Sequence, residues 1–389
     1  MPQNTNTAPA AHAAPNIRKL VSIRRISHTS RIPRTRFARV SVDGWSVVER
    51  TSRGYSAGQL VVFFEIDSFI PATDDRIWEL HQYFVEDALG RKGLRVRSCS
   101  AYGVMSQGMM FRVEDVREVS EELERLVAKH GPQEGTKMAM EMSFEDLLGV
   151  TKWELPVHAA VEGSLGPPPD FFPMPGYLRA QNKPSLFDKD KMANMYHVTE
   201  KLDGDTMVVY HLSKDSPWNH SLPTTEGVHW VEDGRIGVCN RRADIAEDSQ
   251  SIFWEAAHKQ NLLDKIQKMG IRDVALLGEL CGSTVLKNTM DFPEGEHEFF
   301  AFDIYDIGKQ KSLPFEETQA IFKRLDIPHV PVLGRVRMCD FARNLNELLR
   351  KAEGTGCMGQ NREGIVLTSV KDGSQTKVIS NSWLLEKGM

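Results

Sequence analysis

Between Gly163 and Gly176 the chain reads GSLGPPPDFFPMPG, five prolines in a short stretch. Proline has no amide hydrogen to give to a helix or a sheet ladder, so no long regular element can run through this segment. Pro-rich stretches of this kind act as semi-rigid spacers. The chain is therefore expected to fold as separate units on either side, and its 389 residues are enough for two or three domains. The division expected is a tail at 1–16, a first domain at 17–162, the linker at 163–176 and a second domain at 177–389.

Residues 1–16 are rich in Ala, Pro and Asn and carry almost no large apolar groups, which predicts disorder. From Lys19 short strand-like runs follow: Leu20–Ile26, Phe37–Val48, Leu60–Ile66, Leu94–Cys99 and Val104–Phe111. Asp43-Gly44, Arg53-Gly54, Ala57-Gly58 and Lys92-Gly93 punctuate them as turns. Five such strands suit a small barrel of the oligonucleotide-binding type, with a small β-sandwich as the competing topology. Ser120–His130 predicts a helix with Ser120 as N-cap and Gly131-Pro132 as its end. Ser143, followed by Glu145 and Asp146, predicts another short one.

Charge is unevenly placed. The whole chain carries a formal −5, but residues 1–112 hold sixteen Lys+Arg against nine Asp+Glu, so the surplus of +7 there leaves −12 for the remainder. Eight basic residues precede the first acidic one, Asp43. A basic front on an acidic body predicts a localised surface for a polyanion. Arg31, Arg34, Arg36 and Arg39 are its leading candidates, with Arg18, Lys19, Arg24, Arg25, Arg95 and Arg97 in support. Phe37, Trp45 and Tyr102 are candidates to stack bases, against an ordinary core role for each. A solvated arm or an Arg-rich mitochondrial presequence is the alternative reading of the same charges.

Cys99, Cys239, Cys281, Cys339 and Cys357 are scattered, with no C-x-x-C pair. That argues against a disulfide framework or a zinc knuckle and predicts a reducing, intracellular setting, cytoplasmic or nuclear with mitochondria left open. No run of eighteen apolar residues exists, so no membrane helix is predicted. A Walker P-loop and a dinucleotide-binding glycine fingerprint are both missing, which excludes the common ATPase and Rossmann readings.

The second part alternates strands with helices, Gln250–Met269 and Phe315–Leu325 among them. Its chemistry centres on Glu200-Lys201-Leu202-Asp203-Gly204, set between strand-like Met195–Thr199 and Thr206–Leu212. A lysine on fixed backbone at a strand end can serve as a nucleophile if its neighbours lower its pKa. Alone, K-x-D-G is as easily an Asp-Gly turn. Downstream, however, come Gly278-Glu279-Leu280-Cys281-Gly282, the strand Phe299–Tyr305 with Phe302 and Asp303, Arg362-Glu363-Gly364 and Thr376-Lys377-Val378.

In this order the set resembles the covalent nucleotidyltransferase superfamily of DNA ligases, RNA ligases and mRNA capping enzymes, over Tyr196–Ser380. The G-E-L-x-G and F-x-A-F-D forms resemble trypanosome editing ligases and phage nick-sealing RNA ligases. Gly58–Asp67 and Ile379–Leu385 are similar to the Deinococcus-type RNA ligase clade, which carries an oligonucleotide-binding (OB) domain in front. The resemblance implies an α+β chain: an N-terminal OB-like β-barrel, then a nucleotidyltransferase (ATP-grasp-like, ligase adenylation) domain of antiparallel sheets with flanking helices. It implies an ATP-dependent RNA ligase working through lysyl-AMP, with Mg²⁺ or Mn²⁺, on nicked RNA or RNA/DNA duplexes; the oligomeric state is not fixed by the sequence, a monomer being the expectation. A DNA ligase, a GTP-using capping enzyme and a non-catalytic nucleic-acid-binding protein are the alternatives.

The same resemblance implies roles. Lys201 would carry the nucleotide and Glu200 would help read the adenine edge. Gly204 would belong to the set that binds the nucleotide. Arg241 would contact phosphate, Glu279 the ribose and Phe302 the base, while Asp303 would support its strand. Glu363 would hold the metal and Lys377 the α-phosphate. Three positions depart from the pattern: Gln375 stands where many relatives have a second lysine, Arg242 where a polar residue is expected, and Asp205 adds a charge near the phosphates.

Overall fold

A computed structural model describes residues 18–387 apart from 88, 154–162, 225, 248–249 and 287. The tail expected at 1–16 and part of the first domain's expected end lie outside the described residues.

The front forms two antiparallel sheets. In the larger the strand order is Met109–Arg112, Leu60–Phe64, Val21–Arg31, Phe37–Val42 and Trp45–Arg50; in the smaller it is Thr151–Lys152, Ser68–Pro71, Lys92–Arg95 and Val85–Glu86. Alternation drives the packing. In Phe37–Val42, Val40 and Val42 turn inward onto Ile26, Trp45, Val47 and Phe63, whereas Phe37, Arg39 and Ser41 face out. A hairpin, Ser98–Ala101 and Val104–Gln107, stands beside these sheets.

Several local expectations are corrected. The first helix spans Arg117–His130, three residues longer than its Ser120 cap predicted, with Val116 at the cap position. Gly131, at φ 82°, does not end the helical region: Pro132 opens a second helix, Pro132–Glu141. Proline is well placed in a first turn because its missing N–H has no partner to lose there. The short helix expected after Ser143 is a turn at residues 145–149. The helix expected over Gln250–Met269 is two helices, Ile252–Lys259 and Leu262–Gln267, broken at Asn261 in the left-handed region.

The second part is two further sheets, of eight and five strands, with helices on their outer sides. One contains, in order, Ser164–Gly166, Asp244–Ile245, Gly234–Asn240, Asp205–Ser213, Val274–Gly282, His297–Asp306 and Lys311–Ser312. The other runs Leu178–Arg179, Gln375–Ile379, Gly364–Ser369, Met195–Lys201 and Val332–Arg337. All pairings are antiparallel except that of Leu178–Arg179 with Gln375–Ile379. The proline-rich stretch read as a linker lies on the first of these sheets: Ser164 pairs with Ile245, and Phe171 and Phe172 pack on Tyr210. Two large aromatic rings gain more by burial there than they would as a solvated spacer.

The front is docked on the second part. The buried Glu65 carboxylate receives Arg18 at 2.6 Å and the Asn182 amide at 2.9 Å. Met105 of the hairpin packs with Ile379, Trp383 and Leu384 at the other end of the chain. Among the described residues no helix is long and apolar enough to cross a membrane, and the five cysteines are free thiols.

Candidate active site

The K-x-D-G sequence is the crossing between the two sheets of the second part. Met195–Lys201 ends in one sheet, Leu202–Gly204 turns, and Asp205–Ser213 begins in the other. The turn is tight against its neighbours. A Cβ added to Gly204 would meet the Leu280 carbonyl oxygen at 2.4 Å, so close approach, rather than an unusual φ, requires glycine there. Thr289 donates its hydroxyl to Asp203 from the loop before His297–Asp306 and ties the turn from behind.

A cavity of about 1010 Å³ opens between the sheets. Lys201, Glu200, Arg241, Glu279, Phe302, Asp303 and Lys377 all border it. Register explains the gathering. Thr199 pairs with Val366, Val366 with Lys377, and Lys377 with Arg179, so these four form one row across a sheet. Residues opposite one another share a face, which puts Lys377 on the cavity side with Thr199 and Val366. On the other sheet Leu277 pairs with Asp303 but Gly278 pairs with Ala301, so Phe302 is the extra residue of a β-bulge. A bulge re-aims side chains, and here it lets consecutive Phe302 and Asp303 both reach the cavity. Asp303 accepts from Ser312 at 2.7 Å.

Electrostatics at the lysine differ from the sequence expectation. The Lys201 ammonium lies 2.7 Å from the Glu363 carboxylate. Burial pushes its pKa down, but Glu363 and then Glu279 pull it up, and the net shift is upward. The neighbours thus hold Lys201 protonated, contrary to the depressed pKa a ready nucleophile needs. The buried carboxylates carry the complementary strain. Burial raises Glu363 and Glu279 to about 7 against the pull of Lys201. Lys377 moves the other way, to about 7, through burial and then repulsion from Lys201 and Arg179. Three groups poised near neutrality in one cleft is a pattern typical of functional sites.

Other candidates are placed as follows. The Glu200 carboxylate accepts from the Cys357 N–H at 3.0 Å. Arg241 donates to the Pro175 carbonyl. Arg242 and Arg241 both face Asp205 and oppose the upward push of burial on its carboxyl, so two of the three departures compensate each other. Gln375 borders the cavity and hydrogen-bonds the Tyr177 phenol, which stands edge-on to Phe302 at 6.4 Å between centroids. Thr199, Val366, Tyr177 and Arg179 were not singled out from sequence. Alternation back from Lys201 could have found Thr199; the parallel pairing that brings in Arg179 left no local signal.

In the front, Trp45 is buried in the core and is not available to a base. Arg18 and Arg24 are drawn to Glu65, Arg95 to Asp67, and Arg25 to the Gly58 carbonyl. Arg31, Arg34, Arg36 and Arg39 are exposed. Among the described residues none of these four has a carboxylate within ion-pair distance.

Comparison with known proteins agrees with the architecture. Residues 194–380 match the RNA ligase family and residues 20–113 match an OB-fold domain family. No curated protein sequence matches the chain. Among solved structures, a lysine-to-alanine mutant of Naegleria gruberi RNA ligase with ATP and Mn is 29% identical, with a TM-score of 0.75 over 95% of this chain and 99% of that one. A glutamate-to-alanine mutant of that ligase with AMP and Mn is 28% identical, TM-score 0.75, over the same shares. The same ligase with PPi gives 28% and 0.74, covering 95% and 99%. A front of OB-fold type, a two-sheet body and the cavity around Lys201 together make this chain an enzyme of the RNA ligase family, an RNA ligase with an N-terminal OB-fold domain.

Proposed function

We propose that the chain is an ATP-dependent RNA ligase that joins a 3′-hydroxyl to a 5′-phosphate through lysyl-AMP on Lys201, at nicks in RNA or RNA/DNA duplexes. The observation that carries the reading is Lys201, 2.7 Å from the Glu363 carboxylate, on the wall of a cavity also bordered by Glu279, Phe302, Arg241 and Lys377. The division proposed is a nucleic-acid-binding front at 17–162 and an adenylating body at 177–389.

Lys201, as the free amine, attacks the α-phosphorus of ATP. An N–P bond forms, the bond to the bridging oxygen breaks, pyrophosphate leaves and the amine proton passes to solvent. A 5′-phosphate oxygen then attacks that phosphorus, breaking N–P and freeing Lys201. Finally the 3′-hydroxyl oxygen attacks the 5′-phosphate, its proton is lost and AMP leaves. Glu279 would meet the ribose hydroxyls and Phe302 the base, a reading supported by both bordering the cavity. Arg241 and Lys377 offset charge on phosphoryl oxygens, the main work of such transfers.

No group of three or more His, Cys, Asp or Glu side chains is arranged to hold a metal among the described residues. The buried carboxylate of Glu363, with Glu279 in the same cleft, would still suit magnesium, which is commonly bound by one or two carboxylates with substrate phosphates and water. Glu363 would hold Mg²⁺ or Mn²⁺, which would supply positive charge to the phosphates, and a carboxylate so engaged would no longer favour the protonated form of Lys201.

Intact mass after mixing with ATP and Mg²⁺ tests the reading, with GTP in parallel. An AMP adduct on the wild type that Lys201→Ala cannot form is the expected result. An adduct formed with GTP alone, or one retained by Lys201→Ala, would overturn it.

A further inference from the structure

The proline-rich stretch is a strap across the nucleotide cavity. At one end Phe171 and Phe172 are buried on Tyr210, and the Phe171 carbonyl accepts from the Gln310 amide at 2.9 Å. At the other end Leu178 and Arg179 pair in parallel with Thr376 and Lys377 of the second sheet. Between these anchors Pro173, Met174, Pro175 and Gly176 border the cavity. Two prolines with fixed φ leave so short a bridge little freedom. Arg241 holds it from the side through the Pro175 carbonyl. A side chain that the strap turns inward is therefore presented from a fixed support.

That side chain is Tyr177, which also borders the cavity. Alternation puts it on the same face as Arg179. Register puts it beside Gln375, one step before the pairing of Leu178 with Thr376. Gln375 shares the face of Lys377, two residues on, and hydrogen-bonds the Tyr177 phenol. The Tyr177 ring meets Phe302 of the opposite sheet at 6.4 Å between centroids, with planes 74° apart. Tyr177 thus spans the cavity from Phe302 to Gln375. A nucleotide with its base on Phe302 and its α-phosphate at Lys377 has its sugar between them, alongside Tyr177. Burial keeps the phenol protonated, and Asp303 and Glu279 act in the same direction. Neither Tyr177 nor Gln375 then carries charge, so the pair offers a phosphate little. A phenol and a carboxamide each donate and accept hydrogen bonds, as sugar hydroxyls do.

We propose that Tyr177, paired with Gln375, is a specificity residue for the ribose of ATP, hydrogen-bonding one sugar hydroxyl while Glu279 takes the other. This rests on the RNA ligase reading above and adds to it a sugar contact carried by the strap. Tyr177→Phe removes only the hydroxyl and keeps the ring on Phe302. Binding is measured by calorimetry on the full chain carrying Lys201→Met, which has no amine to form the adduct, with and without Tyr177→Phe. The ligands are ATP, 2′-deoxyATP and 3′-deoxyATP.

Tyr177→Phe is expected to weaken ATP binding about fivefold, the scale of one lost hydrogen bond. It should leave one of the two deoxynucleotides unaffected, because that ligand already lacks the hydroxyl concerned. A purely structural role would weaken all three ligands alike. Gln375→Met, which removes the other half of the pair at similar length, should act in the same sense as Tyr177→Phe. Unchanged ATP binding by Tyr177→Phe, or equal weakening toward the three ligands, overturns the proposal. The AMP adduct is followed separately on the wild type. Its absence would count against the ligase reading, while the three-ligand comparison would still decide the role of Tyr177. No binding of ATP by Lys201→Met, together with no adduct on the wild type, would overturn both.

Discussion

The Lys201 ammonium and the Glu363 carboxylate stand 2.7 Å apart although 162 residues separate them, because Lys201 pairs with Gly364 across adjacent strands. The pair holds Lys201, the proposed nucleophile, as a cation. Lysine chemistry at this site is therefore controlled by whatever takes the carboxylate away, and that relation makes the first expectation specific.

Lys201→Met should give no AMP adduct by intact mass and should keep its fold by circular dichroism. Glu363 has a pKa raised to about 7, so it can take up a proton when its partner is removed. Lys201→Arg should fail as well, since a guanidinium stays protonated and is no nucleophile. An adduct in either variant would remove Lys201 from the chemistry.

Glu363→Gln keeps the side-chain shape but loses the charge. Ligation should fall by at least about a hundredfold, the usual scale when a group serving a metal or phosphate is lost. Higher Mg²⁺ or Mn²⁺ should restore part of it. Wild-type ligation by this variant at low metal would exclude the proposed role.

Lys377 has its pKa lowered to about 7, first by burial and then by Lys201 and Arg179. Between that value and its ordinary 10.5 the unfolded chain binds a proton that the free native site does not. Stability contributed by this group is thus lowest below about pH 7 and recovers as pH rises toward 10.5. The contact proposed between Lys377 and the α-phosphate of ATP needs the cation, so binding should take up a proton above pH 7 and weaken as pH rises. Titrating ATP into Lys201→Met across pH 6.5–9 should show that weakening. The added change Lys377→Arg, permanently charged, should flatten it. Parallel pH profiles for the two proteins would assign the effect elsewhere.

Gly204→Ala places a methyl group 2.4 Å from the Leu280 carbonyl oxygen and 2.7 Å from the Glu279 side chain. Backbone must shift to admit it, at about 1–3 kcal/mol. Thermal unfolding should move down by several degrees and adduct formation should slow, since the same turn aims Lys201. An unchanged melting temperature would show that the crossing is looser than its contacts imply.

A chain starting near Pro175 should bind nicked duplex more weakly, and with a shallower dependence on salt, because Arg31, Arg34, Arg36 and Arg39 go with the front and fewer counterions are released. Reversing Arg31, Arg34 and Arg36 together in the full chain should act in the same direction. The truncation also exposes Trp383, Leu384 and Ile379, which pack against Met105. The charge reversal leaves that packing alone and is the cleaner arm. Equal affinity and equal salt slope for wild type and reversal would show that the basic cluster is only a solvated surface.

The sequence alone determined what depends on residue type and local order. Short alternating runs marked the strands of the front, and the strand–K-x-D-G–strand pattern located Lys201. The ordered motifs around Glu279, Phe302, Glu363 and Lys377 named the chemistry, since each chemical group is written directly in its residue. What only the tertiary structure decided depends on pairing between distant segments, because register and burial have no local signature. The bulge that turns both Phe302 and Asp303 to the cavity arises from a one-residue mismatch with Leu277 and Gly278. The raised pKa of Lys201 needs Glu363 beside it, and the lowered one of Lys377 comes from burial between the sheets, then from Lys201, with Arg179 in parallel register adding to it. Likewise Trp45 and Tyr102 look alike in sequence as exposed or buried aromatics. The inward alternation of one and the strained turn of the other separate core from surface.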